Sequence, residues 1–171
     1  MGMFDQKVVF ITGGASGLGR ILVDEFVKEN ANVFFTYRNS EEKAREIIER
    51  YGERVRAVKA DASDITDVKK SINECADKFG TIDILINNAA SARDATLEKI
   101  SDEAFRFTID NVLYPAVYYS KYASEIMIAN KAGKIINIGS INGLRGREGS
   151  VAYSTAKAGI IGFTKTIAKE L

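Results

Sequence analysis

The chain contains no histidine and no tryptophan, and only one cysteine and one proline. Without histidine, the side chain whose unperturbed pKa lies nearest neutrality is missing, so any proton transfer has to be carried by another group. The lone Cys75 excludes a disulfide within the chain. It lies among apolar neighbours in a helical pattern and reads as a buried structural thiol, in keeping with a reducing, cytoplasmic setting. Neither sign of charge dominates: 24 basic and 23 acidic side chains leave a net charge of +1. They are spread along the sequence without a basic stripe, so no nucleic-acid partner is expected. No apolar run approaches the roughly 18 residues of a membrane span, and the N-terminal "MGMFDQKVVFITGG" lacks the layout of a signal peptide. A membrane partner is therefore not expected either.

With 171 residues and 46% hydrophobic content, the chain can bury one substantial core, and residues 1–171 read as a single domain. Short β-branched and aromatic runs predict strands at 7–13, 31–37, 54–61, 82–89 and 133–140. Amphipathic stretches between them predict helices near 17–29, 40–51, 64–79, 101–130 and 151–171. Strands apolar on both faces that alternate with helices imply a parallel sheet covered on both sides, a doubly wound α/β fold. Pro115 falls inside the fourth helical stretch and is expected to kink it. The sequence stops within an amphipathic helix, "GIIGFTKTIAKEL", where a doubly wound sheet would continue into a sixth strand, so the last strands are expected to be missing.

Directly after the first predicted strand, "TGGASGLGR" places Gly13, Gly17 and Gly19 at the opening of a helix. Glycines at a strand-turn-helix junction allow a tight turn and let backbone N–H groups approach a pyrophosphate at the helix N-terminus. Their spacing departs from the common G-x-G-x-x-G fingerprint, and a mere tight connection is the plainer alternative. At the end of the second strand, where an acid would meet the ribose 2′-hydroxyl of NAD, the sequence has Tyr37 and then Arg38. A guanidinium in that position suits a 2′-phosphate, which favours NADP over NAD; a solvated loop arginine is the alternative. Asp61 closes the third strand, where it can accept from an adenine amino group or form an Asx-type cap beside Ser63.

Tyr153 and Lys157 in "AYSTAKAG" are four residues apart and project from one helical face. An ammonium beside a phenol favours the phenolate, so the pair can take the place of histidine. Ser140 closes the fifth strand at its carboxyl end, the edge at which open α/β sheets hold their ligands. In isolation each has an ordinary alternative: a surface pair for Tyr153 and Lys157, a turn cap for Ser140, a solvated helical residue for Asn111.

Taken together, "TGGASGLG" at 12–19, "NNAA" at 87–90, Asn111 in "TIDNVLYP", Ser140 in "IINIGSINGLRG" and "YSTAK" at 153–157 resemble the short-chain dehydrogenase/reductase family, from Lys7 to the last residue. The resemblance implies a Rossmann-type fold and hydride transfer between a nicotinamide and a ketone or secondary alcohol. It makes Tyr153 the acid/base, Ser140 the residue that orients the substrate, Lys157 the ligand of the nicotinamide ribose and Asn111 the holder of a relay water. The cofactor set it implies is Gly13, Ser16, Gly17, Leu18, Gly19, Tyr37, Arg38, Asp61, Ala62, Asn87 and Ala89, together with Tyr153 and Lys157; it implies no metal. Ala90 stands where the family commonly has glycine.

The pair Arg93 and Asp94 in "NNAASARDATLEKISDEAF" is similar to that of 3-oxoacyl-acyl-carrier-protein reductases, which implies a small-molecule carbonyl or acyl-thioester substrate. Arg145 and Arg147 could attract an anionic substrate or carrier, or be solvated loop charges. In the family the long helices form subunit interfaces, so a dimer or tetramer is expected, with Val112, Tyr118, Ile160 and Phe163 on the apolar faces. Two other classes stay open: a nucleotide-binding fragment without turnover, and an assembly module.

Overall fold

The computed structural model describes residues 2–171. Five strands form one parallel sheet in the order β3-β2-β1-β4-β5. They are β1 (Val8–Ile11), β2 (Asn32–Tyr37), β3 (Val55–Lys59), β4 (Ile84–Asn87) and β5 (Lys134–Asn137). The helices are α1 (Gly17–Lys28), α2 (Glu41–Tyr51), α3 (Ile65–Phe79), α4 (Asp102–Ala129), α5 (Asn142–Arg145) and α6 (Val151–Glu170). All five predicted strands and all five predicted helices form, with strand ends trimmed by a few residues. The single turn of α5 is an addition to the expectation. It ends on Gly146 at φ 71°, and four residues are too few for a periodic pattern to show.

The central strands β1 and β2 are buried on both faces, and their side chains alternate between two cores. Val9, Ile11, Val33 and Phe35 face α1 and α2 with Val23, Val27, Ala44 and Ile47. Val8, Phe10 and Phe34 face α3 and α4 with Val68, Ile72, Cys75, Tyr119 and Met127. The period of two thus serves two helical layers at once, which is why these strands read as continuous apolar runs. Phe10 stacks on Phe34 at 5.2 Å and tilts against Tyr119 at 5.4 Å. Cys75 is fully buried there, and burial pushes its thiol up, away from the reactive thiolate.

Local signals fix the helix ends. The Asp64 carboxylate accepts from the Thr66 N–H at 2.7 Å and starts α3, while Gly80 at φ 81° ends it. The Ser101 hydroxyl accepts from the Ala104 N–H at 3.1 Å and starts α4. That helix continues past the buried Pro115 to Ala129.

A third cluster joins α4 to α6 through Val112, Ala116, Ala156 and Ile160. Val112 and Ile160 are 1% and 3% exposed. The sequence reading placed both on a face free for a second subunit; they are instead buried against each other's helices, because the crossing of α4 and α6 brings their apolar stripes together.

Candidate active site

The carboxyl ends of β1, β2, β3 and β4 open onto a cavity of about 300 Å³. Its floor is the glycine loop. After the buried Thr12 the chain turns at Gly13 with φ 71°, a conformation that glycine adopts without strain. The Gly13 N–H donates to the Thr36 hydroxyl at 3.3 Å and the Gly14 N–H to the Thr36 carbonyl at 2.9 Å, which ties the loop to β2. Gly19 lies so close to the loop that a Cβ there would sit 2.2 Å from the Gly13 oxygen and 2.7 Å from the Asn88 amide nitrogen. The first turn of α1 therefore closes onto the loop only with glycine at this position, and it carries no acidic residue that would repel an anion.

Of the expected cofactor residues, Gly13, Ser16, Tyr37, Arg38, Asp61, Ala62 and Ala89 line the cavity, and Asn111 lines it with them. Gly17, Leu18, Gly19, Asn87, Tyr153 and Lys157 are not among the lining residues, and neither is Ser140. Gly17 and Leu18 lie exposed at the start of α1. The Asn87 amide points away from the cavity, donating to Asn137 Oδ1 at 2.8 Å and Ser120 Oγ at 3.0 Å. It thereby joins β4 to β5 and α4. Its neighbour Asn88 faces the glycine loop instead, donating to the Thr12 carbonyl at 3.0 Å and the Gly13 carbonyl at 3.3 Å. The Thr12 hydroxyl accepts from the Asn88 and Ala89 N–H groups, both at 2.9 Å. Thr12 and Asn88 were missed by the sequence reading. The available signal was a polar residue ending each of two adjacent apolar strands.

Arg38 and Asp61 set the electrostatics of the cavity. Burial opposes ionisation of Asp61, but hydrogen bonds from the Ser63 N–H at 2.9 Å and hydroxyl at 2.7 Å outweigh it, helped by the Arg38 charge. The carboxyl is held below its ordinary range. The Asx-type cap is thus formed while Asp61 still lines the cavity. Arg38 reaches across and donates from Nη1 to Asn111 Oδ1 at 2.9 Å.

Asn111 owes a second contact to Pro115, which lies four residues further along α4. Proline has no N–H to return to the Asn111 carbonyl, and that carbonyl accepts from the Ser91 N–H at 3.2 Å. The break in the helical ladder becomes an attachment point for the loop after β4.

Helix α6, outside that lining, carries Tyr153 and Lys157. Lys157 is 3% exposed. Its Nζ donates to the Ile138 carbonyl just beyond β5 at 2.5 Å and lies 5.7 Å from the Tyr153 ring centre. Burial pulls its pKa below the ordinary lysine value. Ser140 is half-buried, and its hydroxyl accepts from the Asn142 N–H at 3.2 Å, so the turn-capping alternative is realised as well. Gly143 in α5 packs flush on α6, where a Cβ would lie 2.7 Å from the Lys157 carbonyl carbon. That approach holds the segment after β5 against Lys157.

The structure thus brings Lys157 beside the Tyr153 ring, with Ser140 three residues past the end of β5, and places the glycine-floored cavity at the ends of the neighbouring strands. The family model for short chain dehydrogenase matches residues 7–171. The chain is 36% identical over 167 residues to the 3-oxoacyl-[acyl-carrier-protein] reductase FabG of Vibrio harveyi, covering 98% of this chain and 68% of that protein. It is 38% identical over 169 residues to the 3-oxoacyl-[acyl-carrier-protein] reductase of a Synechocystis strain, covering 96% and 68%. A FabG of Staphylococcus aureus is 34% identical over 168 residues, with 96% and 68% covered.

Proposed function

The chain belongs to the short-chain dehydrogenase family, and from that premise we propose that it is an NADP-dependent oxidoreductase that reduces a ketone, with a 3-oxoacyl thioester as the substrate class. The observation that carries this reading is the placement of Lys157 Nζ 5.7 Å from the Tyr153 ring at the carboxyl edge of the sheet whose first loop is built on Gly13 and Gly19. The substrate class rests on the three relatives named as 3-oxoacyl-[acyl-carrier-protein] reductases.

The residues present suit a dinucleotide phosphate. The glycine loop and the first turn of α1 offer N–H groups to a pyrophosphate without a competing carboxylate. Arg38, at the wall of the cavity, offers a fork to a 2′-phosphate, and Asp61 offers an acceptor to the adenine amino group. The nicotinamide, when bound, supplies the hydride that the carbonyl carbon receives.

The chain's own part is the proton. The Tyr153 hydroxyl donates to the carbonyl oxygen as negative charge develops on it, and the Ser140 hydroxyl holds that oxygen in place. The Lys157 ammonium stands beside the Tyr153 ring, and Lys157 is itself fixed by the Ile138 carbonyl. Asn111 stands at the cavity wall, where a relay water can return the proton. Oxidation of NADPH by the purified chain with an acetoacetyl thioester tests the assignment. Turnover in the native chain that is lost in Tyr153→Phe, with cofactor affinity retained, is expected. NADPH binding without turnover in a folded sample would reduce the chain to a nucleotide-binding unit.

A further inference from the structure

The Arg93 and Asp94 pair has no part in the site as described so far, and its contacts are unusual. Helix α6 begins after Ser150, an N-cap residue whose hydroxyl would ordinarily accept from an N–H of the first turn. Ser150 makes no such bond. Its hydroxyl donates instead to Asp94 Oδ2 at 2.6 Å, and the Tyr153 N–H donates to Asp94 Oδ1 at 3.0 Å. The cap of the tyrosine-bearing helix is thus a carboxylate borrowed from the loop after β4, 59 residues away in sequence. It satisfies an orphan N–H and meets the positive end of the helix dipole.

The loop that carries Asp94 is itself anchored on α4. The Arg93 N–H donates to the Thr108 hydroxyl at 2.9 Å, and that hydroxyl lies within 3.0 Å of the Arg93 carbonyl. Thr108 is fully buried. The Arg93 guanidinium lies 4.0 Å over the Phe107 ring, and Ser91 is tied to the carbonyl of Asn111 that Pro115 frees. The segment from Ser91 to Asp94 therefore clasps both helices that carry site residues: α4 with Asn111, α6 with Tyr153 and Lys157.

We propose that Asp94 is a positioning residue that fixes the first turn of α6, and with it the Tyr153 hydroxyl, relative to α4 and the cofactor cavity. This inference rests on the reading of Tyr153 as the proton donor. Asp94 does not line the cavity; it acts through the backbone of Tyr153. Its two contacts ask for two hydrogen-bonding ends rather than for charge, because an asparagine can accept from the Tyr153 N–H through Oδ1 while its amide donates to the Ser150 hydroxyl oxygen, which turns from donor to acceptor.

The test compares Asp94→Ala, Asp94→Asn and the native chain in three measurements: amide hydrogen exchange at Tyr153, NADPH affinity by fluorescence, and kcat against KM with an acetoacetyl thioester. Asp94→Ala is expected to speed exchange at the Tyr153 amide by about tenfold, the scale of one lost helix cap. It should lower kcat by a similar factor and leave NADPH affinity within about twofold, since the glycine loop is untouched. Asp94→Asn is expected to restore most of both losses. Unchanged exchange at Tyr153 in Asp94→Ala overturns the proposal, and so does an Asn variant as impaired as the Ala variant. A native chain that binds NADPH without turnover refutes the oxidoreductase reading instead, and the exchange comparison then decides by itself whether Asp94 fixes the turn.

Discussion

Replacing Arg38 with alanine should separate the two nicotinamide cofactors, and the size of the effect follows from what Arg38 holds in the free protein. Its guanidinium donates to Asn111 Oδ1 at 2.9 Å across the cavity. A 2′-phosphate has to draw it away from that partner. The bond given up has one charged partner and contributes about 1.5 kcal/mol net, and the contact between two charged partners, fork and phosphate, about 2 to 3 kcal/mol. The difference, about 0.5 to 1.5 kcal/mol, corresponds to a loss of roughly two- to thirteenfold in NADPH affinity for Arg38→Ala. NADH has a hydroxyl where the phosphate would be, so its affinity should stay the same or rise slightly as the Asn111 bond no longer spans the cavity. Arg38→Lys keeps the charge without the fork and should fall between. Fluorescence titrations of both cofactors at low and high salt measure this, and added salt should weaken NADPH binding to the native chain more than to Arg38→Ala. Equal losses for NADPH and NADH would refute the phosphate assignment.

Other outcomes follow from the close approaches and the buried lysine. Gly19→Ala puts a Cβ 2.2 Å from the Gly13 oxygen, and overpacking against backbone costs about 1 to 3 kcal/mol. A lowered thermal midpoint together with weakened NADPH binding is expected, and an unchanged affinity would contradict the role of the loop. For Lys157, burial lowers the folded pKa below its ordinary 10.5. The unfolded chain therefore binds more protons between the two values, and stability gains from this residue as pH rises through that window. Buried Tyr119, pushed up to about 12, works in the opposite sense above pH 10, because it keeps its proton in the fold after the unfolded chain has lost it. The informative quantity is therefore the native chain minus Lys157→Met, measured by denaturant unfolding from pH 7 upward. That difference should grow in favour of the native chain, and parallel curves would show that Lys157 is not held charged in a buried site.

The strands were readable because β1 and β2 are central and buried on both faces, leaving long apolar runs without polar interruption. The ends of α3 and α4 were readable because Asp64, Gly80 and Ser101 act within a few residues of where they stand. What escaped the sequence depends on contacts between distant segments. Arg38 was read for its ligand, yet its present partner is Asn111, 73 residues away. Asn87 was read as a cofactor neighbour and Asn88 was given no role: strand alternation turns Asn87 into the α4 layer, and Asn88, just past the strand end, turns to the glycine loop. Val112 and Ile160 carried the correct hydrophobic signal, but periodicity does not say which neighbour covers a stripe, and here it is the crossing helix. Pro115 was expected to bend α4; its larger consequence is the freed Asn111 carbonyl, visible only once Ser91 is seen beside it. Ser150 precedes α6 without capping it, and only the fold brings Asp94 to take over that function.

The central claim is that the Tyr153 hydroxyl, supported by Lys157, delivers the proton during nicotinamide-dependent carbonyl reduction. The most direct measurement is the steady-state rate of NADPH oxidation with an acetoacetyl thioester in the native chain and in Tyr153→Phe, alongside NADPH affinity in both. With Tyr153 as the proton donor, kcat should fall about 100-fold or more, the scale of removing one general acid, with affinity for NADPH little changed. Turnover in the phenylalanine variant at the native rate would contradict it.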